Sequence, residues 1–127
     1  MKLGVPEDVI ISYHTYRPNS WWHKDNPNRH HRGFDSRDGE MKWLKLAAGN
    51  RRLWCTENGY NKNDLQVQVD NLVYELDFAK RHCVEGYTYY QLNDDPQHDE
   101  HFGLRDSNFQ WKQPLVDAIR NWVNQNA

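Results

Sequence analysis

The clearest periodic stretch of the chain is NKNDLQVQVDNLVYELDFAKRH (61–82), where Leu65, Val69, Leu72, Val73, Leu76 and Ala79 recur at offsets of 4, 7, 8, 11 and 14. Those offsets trace one face of a helix, so the pattern predicts a helix from about Asp64 to His82. Just upstream, RRLWCT (51–56) reads as a strand, followed by Glu57 and the turn-prone pair Asn58-Gly59. Asn-Gly between apolar runs is ordinarily the strongest short-range hairpin signal. The helical spacing downstream excludes a second hairpin strand, leaving a strand, a short polar loop and a long helix. Glu57 then falls at the carboxyl end of a strand, the edge of an α/β sheet at which ligands bind.

The same reading extends along the chain. VIISY (9–13) is a short β-branched strand after Pro6 and two acids, and it leads into the long polar loop HTYRPNSWWHKDNPNRHHRGFDSRDGE. EMKWLKLAAG reads as a helix with Met41, Leu44 and Ala48 on one face and Gly49 as its C-terminal cap. GYTYYQL (86–92) is an aromatic strand bounded by Gly86 and by Asn93-Asp94-Asp95-Pro96, a run suited to an Asx-type turn. The last helix starts near Pro114, with Leu115, Ala118, Ile119, Trp122 and Val123 as its buried stripe. The order β-α-β-α-β-α implies parallel strands joined by right-handed crossovers in one α/β domain spanning 1–127. Three strands leave two open edges, which invite pairing. A complete parallel barrel needs eight such units and roughly 250 residues, about twice this chain.

Composition changes the picture in few places. A net charge of −2 gives no electrostatic case for nucleic acid or an acidic membrane. No apolar run approaches the ~18 residues of a membrane span, and no signal-peptide-like stretch opens the chain, so the compartment is not indicated. Cys55 and Cys83 are expected to be buried, reduced thiols. Aromatics make up 13% of a chain whose mean hydropathy is −1.10, with six Trp and seven Tyr. Such side chains either fill a small core or stack on sugars or bases. Trp21 and Trp22 in the first loop suit either role, and Trp111 is expected beneath the last helix. His23, His30 and His31 in one loop, with His98 and His101 in another, lack the fixed spacing of a metal motif. No metal and no cofactor are expected.

These segments carry a family resemblance. WCTENGY followed by a helix, then EGYTYYQLNDDP and HFGLRDSNFQWKQPLVDAI, resemble the last strands and helices of a clan A retaining glycoside hydrolase of the family 5 or family 39 type. The resemblance implies a partial TIM (β/α)8 barrel, its three β-α units standing for strands six to eight. It maps the nucleophile onto Glu57 and a His-x-Tyr pair, in SYHTY, onto His14 and Tyr16, whose hydroxyl would bond the nucleophile. Asn58, Tyr90 and Asn93 would line the sugar site with Trp21 and Trp22, Tyr90 standing where the family tends to have a Trp. The family's acid/base glutamate lies on strand four, and nothing in this chain corresponds to strands one to five.

Retaining hydrolysis needs two carboxyl groups about 5–5.5 Å apart, one attacking the anomeric carbon and one protonating the leaving oxygen. The resemblance thus implies hydrolysis of O-glycosidic bonds in a glycoside, oligosaccharide or polysaccharide, with the second carboxyl supplied from outside this chain. Asn58 would either donate to a sugar hydroxyl or shape the turn. Two other readings stay open: a non-catalytic carbohydrate-binding module, and an inactive truncated fragment that self-associates or takes the missing strands from a partner chain.

Overall fold

The computed structural model describes residues 6, 8–14 and 37–127. Six elements alternate: β1 (Ile11–His14), α1 (Arg37–Ala48), β2 (Leu53–Asn58), α2 (Leu65–Arg81), β3 (Gly86–Tyr89) and α3 (Gln113–Asn126). The strands form one parallel sheet in the order β1-β2-β3, so chain order and spatial order coincide. The described residues form a small α/β domain of three helices and a three-stranded parallel sheet.

Register fixes which face the helices cover. Ile11 pairs with Leu53, Tyr13 with Cys55, and Cys55 with Tyr87. These side chains share one face. There Met41, Ala48, Leu53 and Phe78 form one core cluster, with Ile11, Tyr13 and Leu44 packed against it. Leu72, Leu76 and Leu115 form a second, joined by Tyr87, Tyr89, Ala118, Ile119 and Trp122. The opposite face carries Ser12, Trp54 and Thr88, all exposed.

The helices start and stop where local chemistry dictates. The Asp64 carboxylate accepts from the Val67 amide at 3.1 Å and caps α2. Gly49 follows α1 at a φ of 65°, the left-handed conformation that a C-terminal cap requires. At the far end of α2, buried His82 places Nε2 2.6 Å from Asp38 Oδ1, and Arg81 donates to the same oxygen at 3.0 Å. The His82 hydrogen bond, with Arg81 beside it, holds the Asp38 carboxyl below the usual carboxylate range against the opposing effect of burial. This triad ties the end of α2 to the start of α1.

Several expectations need correction. The middle strand runs to Asn58 rather than stopping at Thr56, so Glu57 lies inside it. The third strand ends at Tyr89, because the chain beyond it pairs instead with its own return: Leu104 donates to the Gln91 carbonyl and Arg105 to that of Leu92. Val123 is 51% exposed: α3 meets α2 through Leu115, Ala118, Ile119 and Trp122, and the next residue has rotated ~100° away from them. Leu65 is exposed in the first turn of α2, while Phe78, Gln68, Asn71 and Glu75 are buried on that helix. Cys55 is buried as expected but Cys83 is exposed, since it leaves α2 at a φ of 55°; both are free thiols. Trp111 is exposed too, its ring stacked on the Arg105 guanidinium rather than lying under α3.

Candidate functional site

An irregularity in β2 builds the site. Tyr13 pairs with Cys55, but the next residue, His14, pairs with Glu57, skipping Thr56. On the other side Cys55 pairs with Tyr87, while Asn58 pairs with Tyr89, so β2 again carries one residue more than its neighbour. An extra residue of this kind is a β-bulge, and beyond it every side chain points to the other face. Simple alternation would align Glu57 with buried Leu53 and Cys55. Instead Asn58 is fully buried, its Oδ1 accepting the Tyr87 hydroxyl at 2.6 Å, while Glu57 remains partly exposed. The Tyr87 phenol is pushed far up, first by burial and then by the Glu75 charge.

Glu57 thus stands on the face opposite the described helices, at the carboxyl edge of the middle strand. Its Oε2 lies 3.4 Å from His14 Nδ1, and the two side chains are 33% and 57% exposed. Tyr90 closes the other side. Its amide donates to the Asn58 carbonyl at 2.6 Å, and its ring meets Phe102 edge-on with centroids 5.4 Å apart. Partial desolvation raises the Tyr90 phenol, and the charges of Glu100, Glu57 and Asp95 raise it further. A neutral hydroxyl beside carboxylates is a hydrogen-bond donor. Gly59 lets the edge close: a Cβ there would sit 2.2 Å from the Tyr90 carbonyl oxygen and 2.9 Å from Phe102 Cδ1.

The loop after β3 is held by a largely buried ion pair. Lys112 Nζ donates to Asp94 Oδ1 at 2.9 Å, to the His101 carbonyl at 3.1 Å and to Gln68 Oε1 at 3.4 Å. Gln68 in turn donates to the His101 carbonyl, and the Gly103 amide to Asp94 Oδ1. Asp95 accepts from the Gln97 amide at 2.9 Å, an Asx turn, and its other oxygen lies 2.8 Å from His98 Nδ1. The His98 bond lowers the Asp95 carboxyl and raises the His98 imidazole.

Of the residues singled out from sequence, His14, Glu57 and Tyr90 share this edge. Asn58 does not: its side chain is turned into the core, where it accepts the Tyr87 hydroxyl. Asn93 is half-buried, its Oδ1 accepting from Arg105 Nε at 2.7 Å. Tyr16, Trp21 and Trp22 lie outside the described residues, as do His23, His30 and His31. Sequence reasoning gave no role to Phe102 and Glu100, which sit in a loop without periodicity. Among the described residues, no group of three or more His, Cys, Asp and Glu side chains could hold a metal ion, and no helix is long and apolar enough to cross a membrane. No protein-family model matches the chain, and no curated protein matches it either.

Proposed function

We propose that the chain is part of a retaining glycoside hydrolase of the clan A type, the C-terminal units of a (β/α)8 barrel, with Glu57 as nucleophile. The observation that carries this reading is the Glu57 carboxylate, turned out by the β2 bulge at the carboxyl edge of a parallel sheet, 3.4 Å from His14. In this reading Glu57 attacks the anomeric carbon of a glycoside and forms a covalent glycosyl-enzyme that water then hydrolyses. His14 orients the carboxylate, Tyr16 is a further donor by resemblance, and Tyr90 lines the sugar site. The proton for the leaving oxygen comes from a carboxyl group outside residues 1–127, on other barrel units of the same product or on a partner chain.

One observation favours a second reading for the chain by itself, a carbohydrate-binding or vestigial module. The two acids nearest the end of β3 are engaged structurally, Asp94 by Lys112 and the Gly103 amide, Asp95 by His98 and the Gln97 amide. Neither is available as the acid.

The two readings separate under a reagent that needs no acid. A 2-deoxy-2-fluoro glycoside with a dinitrophenyl leaving group loses that group without protonation and traps the glycosyl-enzyme. Intact mass after incubation with a panel of such glycosides should show one covalent adduct on the wild type and none on Glu57→Gln. A folded chain left unlabelled by the whole panel would sink the nucleophile assignment and leave the module.

A further inference from the structure

Beyond Tyr90 the chain shapes a hollow of about 470 Å³, whose lining includes Gln91, Leu92, Asn93, Asp95, Gln97 and Phe109. Phe109 is 64% exposed, yet its backbone is firmly held. Its amide donates to the Asp106 carbonyl at 3.0 Å, and the flanking Asn108 and Gln110 amides both donate to Asp106 Oδ1, at 2.8 and 3.0 Å. The Arg105 guanidinium lies 5.6 Å from the Phe109 ring centroid and 5.4 Å from that of Trp111, and Asn93 fixes its Nε. The loop therefore braces a flat apolar ring that contributes little to the core, at the rim of a hollow lined with side-chain amides.

We propose that this hollow is a second carbohydrate contact, in which Phe109 stacks against one ring of a neutral oligosaccharide while Gln91 and Gln97 bond its hydroxyls. A pyranose presents both surfaces such a site matches: axial C–H groups toward a flat ring and hydroxyls toward convergent polar groups. The ionisable residues in its lining, Asp94 and Asp95, are both acids, so the hollow's lining offers no cation to the phosphates of a nucleotide. The choice of a sugar as the ligand rests on the reading of Glu57 given above; the place of the contact does not. Because the hollow adjoins Tyr90 through Gln91, it selects for a ligand of several sugar residues rather than a simple glycoside.

Backbone amide shifts of the wild-type protein, titrated with cellohexaose, mannohexaose and xylohexaose, test this directly. One hexaose should move the amides of residues 91–97 and 109. Phe109→Ala should weaken that binding about tenfold, about 1.4 kcal/mol, with Phe109→Trp retaining it. Far-UV circular dichroism should match the wild type for each variant, and Phe109→Ala should still accept the fluoroglycoside label. Binding unchanged in Phe109→Ala, shifts confined to other residues, or no binding of any of the three would overturn the contact. Loss of labelling at Glu57 with Phe109-dependent binding intact would instead remove the reaction and leave the contact standing.

Discussion

Gly59 illustrates how a residue can be legible for one reason and matter for another. In the sequence it reads as half of a turn pair that tolerates positive φ. In the structure its φ is not in that region, and what it supplies is room, since the Tyr90 carbonyl oxygen would lie 2.2 Å from a Cβ. Gly59→Ala must push the ends of β2 and β3 apart, a change expected to cost about 1–3 kcal/mol and to lower the urea midpoint accordingly. Glu57 was legible as a strand-end carboxylate, but the direction of its side chain was not. The residues LWCTE alternate in a way that would bury it, and only the extra residue in β2 turns it out. His98 carries a prediction of its own. Its imidazole is raised by Asp95, so its share of the pair's stabilisation is full below the ordinary value of 6.5 and is lost as pH rises through the raised value. The lowered Asp95 carboxyl contributes above its ordinary 3.8 and loses that contribution as pH falls through the lowered value. A proton NMR titration should place the His98 midpoint above 6.5 and return it to about 6.5 in Asp95→Asn.

Among the elements, the helices were the most legible, because apolar spacing, Asp64 and Gly49 all pointed the same way. What escaped the pattern was the polar part of the buried face of α2. Gln68, Asn71 and Glu75 are buried as deeply as Leu72, and no periodicity of apolar residues marks them. For Gln68 the reason lies elsewhere in the chain: it meets Lys112 and the His101 carbonyl, contacts that join α2, the loop after β3 and the start of α3. The side chains of Lys112 and Asp94 are only 13% and 9% exposed. Lys112→Met would leave the Asp94 carboxylate buried without its cation, and a loss of about 3 kcal/mol is expected in equilibrium denaturation. A loop released in this way would also loosen Phe102 and, through it, the ring of Tyr90.

At the scale of the molecule, the α/β class and the parallel sheet followed from the order of elements, and the structure has both. The three strands stand in sequence, with their helices against one face. The larger barrel belongs to the proposal, and the outer edges of β1 and β3, unpaired among the described residues, are where further strands would pair. Which other parts of the chain meet the hollow near Phe109 depended on the loop between β3 and α3, whose course is set by long-range hydrogen bonds that a local pattern does not report. The coincidence of strand order with chain order bears on how the chain is made. No strand has to be threaded between two already paired, so each unit can dock on the one before it as it leaves the ribosome. The contacts that close the sheet are those between consecutive units, which keeps the sequence separation of paired residues modest for a parallel sheet and the search for the native pairing correspondingly short.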